Sequence, residues 1–453
     1  MKKKFNKNKI FKKIVLSDEQ QIKFENLKDE YKLHPLLAKY IAHKNIEDFD
    51  YYLNPTLDKL DDVEKVADIQ KARKMILEQI KINPKKILVV GDYDVDGITS
   101  CSIMYLFFKE KFGIELDVYI PERIEGYGLK TGIIDFAIKN GNDFIITVDN
   151  GIAAFEAVDY AKEKGFTVII TDHHMIQDGK MPNADAILNS VRTDCNYRDK
   201  HISGVGMAFN LIRSIDQELA FKYLPILAIG TVADIVPLLN ENRIYVSEGV
   251  KRPLENKGLR GLLDGLEVQG DMTSIDIMFK IAPMLNSAGR EGNAYKAFRL
   301  FIEQDENELN KILKELIELN VIRKEEQKKI EEDIMKSLKQ NNFSIVAYPE
   351  ESGYIYNPAI VGIVGSRIVD RYRKPTVIFS IKEILIDGVQ TKVYSGSARG
   401  VDWFDYGDLL SQIKKEGILI SGGGHKAAAG LAIHMKDLKR FEDEVQESRN
   451  WLS

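Results

Sequence analysis

Three short apolar runs, each rich in β-branched residues, constrain the fold of this chain more than any other feature. They are KKILVV (85–90), DFIITV (143–148) and TVIIT (167–171), and helical patterns at 99–111 and 153–164 separate them. Alternating strands and helices predict βαβ units and therefore an α/β fold with a parallel sheet flanked by helices. In such a sheet the carboxyl ends of the strands share one edge, where ligands bind.

The composition is that of a folded chain with several domains. A length of 453 residues predicts about three domains of roughly 150 residues each. Apolar residues make up 44% of the chain and charged residues 29%, which excludes global disorder. The formal net charge of -5 counts mildly against a nucleic-acid partner. Bound cations or a local basic face would remove that objection.

Cysteine content and the start of the chain bear on its cellular compartment. Cys101 and Cys195 are the only cysteines, which excludes a disulfide framework and fits a reducing cytoplasm. The lysine-rich residues 1–13 lead into no apolar run, and no stretch approaches the ~20 apolar residues of a membrane helix. We therefore expect a cytoplasmic protein with no membrane partner. The basic start is either a solvated tail or an arm that contacts phosphates.

Changes of pattern along the chain predict four segments. Residues 1–80 form a mostly helical N-terminal segment, and residues 81–303 hold the apolar runs of the α/β domain. No Gly or Pro occurs between residues 293 and 348, and apolar residues recur there at helical spacing. This predicts a long connector helix at 304–340, although a helical layer on the first domain is an alternative. Residues 341–453 return to strands and helices and predict a smaller α/β domain.

Three aspartates alternate in GDYDVDG, directly after the first apolar run. Asp92, Asp94 and Asp96 repel one another unless positive charge lies between them. Oxygen ligands of this kind suit Mg²⁺ or Mn²⁺. An acidic turn or a calcium-like loop is the alternative, although Ile103 stands where an EF-hand needs its glutamate. This motif alone leaves both interpretations open.

The second and third runs also end in candidate ligands. Asp149 follows the second run in VDNG, and Asp172, His173 and His174 follow the third in TDHH. Asp149 alone could cap a helix. Two adjacent histidines after a strand-end aspartate are harder to account for by a purely structural role. Imidazole is a good ligand for Mn²⁺, and a neighbouring carboxylate fixes its tautomer.

A further aspartate, Asp234, lies in the apolar stretch GTVADIVPL, where an unpaired carboxylate is costly to bury. It is either a helix-terminal residue or another ligand. The acids and histidines together predict a two-metal site, with ions about 3.5–4 Å apart, that hydrolyses a phosphate ester. No Ser-His-Asp or Cys-His arrangement for nucleophilic catalysis is evident.

The motifs GDYDVDG, VDNG, DHH and ADIVPL, in this order and spacing, resemble those of the DHH phosphoesterases. The form GDYDVDG is similar to the RecJ branch of single-strand exonucleases. PERIEGYG (121–128), SGVGMAFNL (203–211) and NSAGR (286–290) are also RecJ-like. SGSARG and GGGHKAAAG near the end resemble the DHHA1 domain. The resemblance covers about residues 85–434. It implies a DHH domain, a connector helix and a DHHA1 domain.

The resemblance also implies a role for each matching residue. Two Mn²⁺ or Mg²⁺ ions would be held by Asp94, Asp96, Asp149, His173 and Asp234. Asp92 would be either a further metal ligand or a residue that supports the ligands. The catalytic group would consist of His174, which contacts the scissile phosphate, Asp172, which orients the histidines, and Asn286 and Arg290. The substrate would be bound by Arg123, Tyr127, Ser397, Arg399, Gly422, Gly423, Gly424 and His425.

Physical chemistry supports part of the substrate group. Successive glycines in SGGGH can present backbone N–H groups to an anion, although a flexible turn is the simpler interpretation. Arg399 could bind a phosphate through two hydrogen bonds. The chain also departs from the family pattern at Asn357, Ala359 and Gly400. We expect no OB-fold after the DHHA1 domain, so the binding of long DNA would either be weaker or be supplied by a partner or the N-terminal segment.

The resemblance implies a metal-dependent 5′→3′ exonuclease that acts on single-stranded nucleic acid, with DNA favoured over RNA. Repair, recombination or replication proteins would be its partners. One alternative is a phosphodiesterase of the same family that acts on oligoribonucleotides or dinucleotides. Another is a scaffold that keeps the fold without metals, which the complete ligand set argues against.

Overall fold

The computed structural model describes residues 15–44, 46, 48–83, 86–252, 255–337, 343–350, 353–386 and 388–448. The lysine-rich start at residues 1–13 lies outside these ranges. The chain forms two compact units. The first falls within residues 1–120, 128–255 and 267–278, and the second within residues 121–127, 256–266 and 279–453. In the described residues, no helix has the length and apolar character needed to cross a membrane.

Strands and helices alternate from residue 87 to residue 171 of the first unit, with further helices before and after, and both types of element occur in the second unit. The helices are α1 (Asp18–Asp29), α2 (Pro35–Ala42), α3 (Phe49–Leu53), α4 (Ile69–Ile82), α5 (Val95–Phe112), α6 (Thr131–Asn140), α7 (Phe155–Glu163), α8 (Gly204–Ile215), α9 (Gln217–Ala220), α10 (Leu224–Ala233), α11 (Asn240–Gly249), α12 (Lys257–Gly265), α13 (Ser274–Asp276), α14 (Ala282–Arg290), α15 (Ala294–Ile302), α16 (Glu306–Ser337), α17 (Val361–Tyr372), α18 (Tyr406–Lys415) and α19 (Leu438–Glu447). The strands are β1 (Ile87–Val90), β2 (Asp117–Tyr119), β3 (Phe144–Val148), β4 (Thr167–Thr171), β5 (Ala186–Leu188), β6 (Ile345–Ala347), β7 (Thr376–Ile386), β8 (Val389–Arg399), β9 (Leu419–His425) and β10 (Ala428–His434).

The first unit is built on a five-stranded sheet in the order β2-β1-β3-β4-β5. Every pair in this sheet is parallel. The three apolar runs form β1, β3 and β4, so the predicted α/β fold with a parallel sheet is confirmed. The flanking strands β2 and β5 have only three residues each. Such short runs have no distinctive pattern in the sequence.

Burial on both faces explains why the central strands are almost entirely apolar, with threonine as their only polar residue type. Leu88, Val90 and Ile145 face a cluster that includes side chains of α6 and α7. The alternate residues point to the opposite face, where α5 and α8 contact the strands. For this reason, the strands of a parallel sheet that is covered by helices on both sides appear in the sequence as continuous apolar runs. The sheet therefore offers a fixed edge at the carboxyl ends of its strands.

A tight turn joins β1 to α5 and carries the first acidic motif. The Asp94 carboxylate caps α5 by accepting hydrogen bonds from the backbone N–H groups of Asp96, at 3.0 Å, and Gly97, at 3.2 Å. A Cβ atom on Gly97 would lie 2.4 Å from the backbone nitrogen of Asp92. Only glycine allows this approach, which places Asp92 against the first turn of the helix.

The second unit contains a five-stranded sheet in the order β6-β7-β8-β10-β9. Strand β6 is parallel to β7, and the remaining pairs are antiparallel. One apolar cluster packs α18 and α19 on this sheet, and another packs α17 and the end of α16 on it. Helix α16 has 32 residues and lies within the range predicted for the connector. Residues 338–340 of that range lie outside the described part.

The turn generates a stability prediction. The Gly97→Ala substitution forces the added methyl group against the Asp92 backbone, so we expect the free energy of unfolding to fall by about 1–3 kcal/mol. Urea denaturation measures this change. Gly132→Ala in α6 is the matched control, because nothing lies within 4 Å of the added atom. The control should be neutral or gain up to ~1 kcal/mol. Equal stability of the two variants would contradict the packing described for the turn.

Candidate metal centre

The strand ends of the first unit bring the predicted ligands together. Asp92, Asp94 and Asp96 follow β1, Asp149 follows β3, and the DHH residues follow β4. Asp234 joins them from the end of α10. Three groups have candidate ligand atoms within 4.8 Å of one another: Asp92, Asp94 and Asp149; Asp96, His173 and Asp234; and Asp149, His173 and His174. Asp149 and His173 each belong to two groups, so these groups overlap. A carboxylate such as Asp149 can bridge two ions, whereas a neutral imidazole ligates one.

His173 lies at the centre of this cluster. Its Nε2 atom is 3.2 Å from Oδ1 of Asp149, 3.7 Å from Oδ2 of Asp234 and 3.9 Å from Oδ2 of Asp96. Nε2 of His173 and Oδ2 of Asp234 are buried, and neither makes a hydrogen bond to any described residue. Buried polar atoms normally have partners. A cation among these atoms would supply the missing interaction, so the residues fit a metal ion.

The electrostatics of the metal-free cluster are unfavourable. Burial, followed by repulsion from neighbouring carboxylates, raises the pKa values of Asp96 and Asp149 well above their usual range. Burial and the Asp94 charge raise the pKa of Asp234 to about 7. Burial also lowers the pKa of His173 to about 4, which keeps its imidazole neutral. Neutral imidazole and carboxylates held close together are what a divalent cation requires.

The first turn of α8 supports Asp96. The backbone N–H groups of Gly204 and Val205 donate to its two carboxylate oxygens, at 2.7 and 2.8 Å. A Cβ atom on Gly204 would lie 2.3 Å from Oδ1 of Asp149, so this position needs glycine. The sequence analysis did not predict a role for these residues. Ser203 followed by glycine is an N-cap signal that could have placed a helix start there.

Asp172 fixes the geometry of the histidine pair. Its Oδ1 atom is 2.7 Å from Nδ1 of His174 and accepts the N–H groups of both histidines, while Oδ2 accepts from the Ile152 N–H. The carboxylate is completely buried, whereas 46% of the His174 side chain is exposed. Burial lowers the pKa of His174, but the Asp172 hydrogen bond and charge outweigh it and raise the pKa overall. His174 is therefore held with its ring partly in solvent.

Two buried asparagines, which the sequence analysis missed, join the loops of this edge. Asn150 Nδ2 donates to the carbonyl oxygens of Val90 and Val148, at 3.0 and 2.9 Å, and so connects β1 with β3. Asn189 Nδ2 donates to the carbonyl oxygen of His174, at 2.9 Å. The sequence does not indicate the structural role of either asparagine, because an asparagine after a strand usually indicates a turn.

The other predicted site residues belong to the second unit. Arg399 Nη1 donates to Oγ of Ser397 and to the Ala398 carbonyl oxygen, each at 2.8 Å, and Nε donates to Oγ of Ser366. Among the described residues, no acidic side chain forms an ion pair with this guanidinium. A Cβ atom on Gly362 would lie 2.6 Å from Arg399 Nη2, so glycine makes room for it. A held arginine without an acidic partner suits an anion.

The remaining residues predicted to contact the substrate or take part in catalysis lie in α14, in a loop and in β9. Asn286 and Arg290 lie on α14, and the Arg290 guanidinium donates to the carbonyl oxygen of Ala359. Arg123 and Tyr127 lie in the loop 121–127. Gly422, Gly423 and Gly424 form part of β9, which pairs with β10. The side chain of His425 lies outside the described atoms. The roles predicted for all these residues, and for the metal ligands, stay predictions.

The departures from the family pattern have local contacts. Asn357 Nδ2 donates to Glu326 of α16 at 2.9 Å, and its Oδ1 accepts the Ala359 N–H. A Cβ atom on Gly400 would lie 2.6 Å from the Lys426 carbonyl oxygen. Asn357 and Gly400 therefore take part in the packing of this unit.

Comparison with known proteins identifies two domain families in the chain. Residues 86–231 match the model of the DHH family, N-terminal domain, and residues 342–450 match the DHHA1 domain. The chain is 32% identical to the single-stranded-DNA-specific exonuclease RecJ of Bacillus subtilis (strain 168). That match covers 94% of this chain and 54% of the relative, so the chain spans about half the relative's length.

Two further comparisons extend this result. The RecJ of Haemophilus influenzae, also named a single-stranded-DNA-specific exonuclease, is 31% identical over 92% of this chain and 75% of its own length. The crystal structure of RecJ in complex with Mn²⁺ from Thermus thermophilus superimposes with a TM-score of 0.80 at 26% identity. It matches 97% of this chain and 62% of the other.

The cluster generates a metal-binding prediction. Wild-type protein should bind Mn²⁺ stoichiometrically in calorimetric titration. The Asp149→Asn variant keeps the shape of the side chain and loses its charge, so we expect the Kd for Mn²⁺ to rise by about tenfold or more. Asp159→Asn, an exposed acid on α7, is the matched control and should bind as wild type does. Equal affinity in the two variants would remove Asp149 from the ligand set.

The raised pKa values generate a prediction for pH dependence. The carboxyl group of Asp234 has a pKa of about 7, so it holds a proton below that pH in the metal-free protein. Metal binding requires the carboxylate and must displace the proton. The affinity for Mn²⁺ should therefore decrease as the pH falls from about 8 to about 6. Calorimetry in two buffers of different ionisation enthalpy should detect proton release, and a constant Kd would argue against proton competition.

Proposed function

The chain belongs to the RecJ family and combines a DHH domain with a DHHA1 domain, and we propose that it is a metal-dependent exonuclease of single-stranded DNA. It would hydrolyse phosphodiester bonds from the 5′ end and release mononucleotides. The observation that carries this proposal is the cluster of carboxylates and histidines at one edge of the parallel sheet, which forms three overlapping groups whose candidate ligand atoms lie within 4.8 Å of one another. Such a cluster is suited to binding two cations beside a phosphate.

In this proposal the chain supplies a ligand set of fixed geometry. Two Mn²⁺ or Mg²⁺ ions would be held by Asp92, Asp94, Asp96, Asp149, His173 and Asp234. Bound ions of this kind would activate the attacking water near neutral pH and stabilise charge on the leaving oxygen. The N–H groups at the start of α8 hold Asp96 in place. These contacts fix the ligand positions before any substrate arrives.

His174 is proposed to contact the scissile phosphate. Asp172 orients its ring through the 2.7 Å contact with Nδ1 and raises its pKa, which favours the form that donates hydrogen bonds to an anion. Asn286 and Arg290 would contribute further polar groups near the phosphate. In the second unit, Arg399 and Ser397 would bind a phosphate oxygen, together with Gly422, Gly423, Gly424 and His425. Arg123 and Tyr127 would contact the strand.

The proposal extends to domains, partners and compartment. We propose a DHH domain at 81–303, a connector helix at 304–340, a DHHA1 domain at 341–453 and an N-terminal segment at 1–80. The matched ranges 86–231 and 342–450 support the two main domains. Proteins of DNA repair, recombination or replication would act with the enzyme in the cytoplasm.

Product analysis tests the proposal. Wild-type protein with Mn²⁺ is incubated with 5′-labelled and 3′-labelled single strands of DNA and RNA, from two nucleotides upwards. We expect early release of 5′-labelled mononucleotide from long DNA, and progressively shorter 3′-labelled strands. Early release of 3′-labelled mononucleotide would reverse the polarity. Cleavage confined to short RNA or dinucleotides would indicate a small-substrate phosphodiesterase.

Two histidine variants complete this experiment. His174→Ala should lower kcat by about 10²–10⁴, which is the usual contribution of one positioned acid, base or hydrogen-bond donor, while Mn²⁺ binding persists. His43→Ala, at an exposed position after α2, is the matched control and should keep wild-type rates. Full activity of His174→Ala would exclude the proposed contact with the scissile phosphate.

A further inference from the structure

Ile235 has a backbone conformation that is unusual for its residue type. Helix α10 ends at Ala233, Asp234 is its C-cap, and Ile235 follows with a φ of 62°. Helices often end with one residue in the left-handed region, and that residue is usually glycine or asparagine. A β-branched side chain is strained there, because its Cβ substituents crowd the neighbouring carbonyl group.

Packing of the side chain does not account for the strained backbone conformation of Ile235. It is 77% exposed, so the strain is not offset by burial in an apolar core. The segment that follows is nevertheless well anchored. Buried Asn242 donates to the carbonyl oxygen of Pro237 at 3.2 Å and to that of His201 at 2.7 Å. The chain therefore holds an exposed aliphatic side chain at a fixed place, at a cost in stability.

That place is the border of the candidate metal centre. Ile235 is the residue after Asp234, whose Oδ2 atom lies 3.7 Å from Nε2 of His173. Consecutive Cα atoms are about 3.8 Å apart, so Ile235 cannot be remote from the cluster. Strained residues that persist without a packing role concentrate at functional sites. Met175 borders the same cluster after His174, and it is 72% exposed.

We propose that Ile235 is a substrate-contact residue that packs against the sugar or base of the nucleotide beside the scissile phosphate. This inference rests on the proposed function. The acids and histidines suit the phosphate with its cations, and the next groups along a strand are the deoxyribose and the base. Both present apolar faces, which an aliphatic side chain removes from water on binding. Ile235 would thus add affinity for nucleotides without contributing to the chemistry.

The test uses Ile235→Asn, because asparagine tolerates the left-handed conformation and has no aliphatic surface. We expect its Tm to equal or exceed that of wild type. On single-stranded DNA with Mn²⁺, KM should rise by about tenfold with kcat little changed, as partial loss of one aliphatic contact predicts. On strands whose two terminal nucleotides at the degraded end lack bases, a smaller difference between the two proteins assigns the contact to the base. The separate variant Ile235→Val keeps an aliphatic side chain and should have the KM of wild type.

Arg373→Asn is the matched control. Arg373 follows α17 with a φ of 54° and an exposed side chain, and it lies in the second unit. This substitution should leave Tm unchanged or raise it and should not change KM.

If Ile235→Asn is stable and has the KM of wild type, the inference is wrong while the exonuclease proposal stands. If wild-type protein does not degrade single strands, the proposed function itself fails. An equal rise of KM on base-bearing and base-free ends restricts the contact to the sugar.

Discussion

Mutual repulsion among carboxylates that are crowded at one edge of a buried sheet is the constraint on which the rest of the first unit depends. Burial and the neighbouring charges raise the pKa values of Asp96, Asp149 and Asp234, and His173 is buried among them as a neutral ring. Without cations such a cluster is stable only when it holds protons. The sheet must therefore be rigid enough to keep these groups together when metal is absent. A parallel sheet with apolar residues on both faces provides that rigidity.

The surrounding backbone is shaped around the same cluster. Gly97 lets the β1 turn close against Asp92, and Gly204 lets α8 begin beside Asp149. The first N–H groups of α8 then donate to Asp96, so a helix N-terminus offsets part of the negative charge. Asp172 has a structural role, because it accepts four hydrogen bonds and thereby fixes the positions of His173 and His174 after β4. The same type of side chain is thus a structural residue at Asp172, where four hydrogen bonds surround it, and a candidate metal ligand elsewhere in the cluster.

The sequence was sufficient to predict the strands that carry the cluster, because continuous apolar runs that end in acids are typical of parallel strands leading into a ligand site. The sequence also identified acids that the structure brings together, although their roles as ligands stay predictions, and it contained the helical pattern of the segment that α16 occupies. It did not reveal β2 and β5, which are too short to show a pattern, or Asn150 and Asn189, whose hydrogen bonds link segments distant in the chain. The left-handed conformation of Ile235 was equally hidden, since that position would normally be predicted only from glycine or asparagine. Local residue patterns predict elements, whereas contacts between loops require the folded chain.

Net charge is a poor guide to the partner of such a protein, and the location of the charge explains why. The chain carries a formal charge of -5, which by itself would disfavour an anionic polymer. Several of its negative charges are the buried aspartates of the candidate metal centre, and two divalent cations would contribute four positive charges there. In the second unit, Arg399 has no acidic partner among the described residues, so its charge is available to an anion. The acids that make the total negative would, once they bind cations, make the site attractive to phosphate.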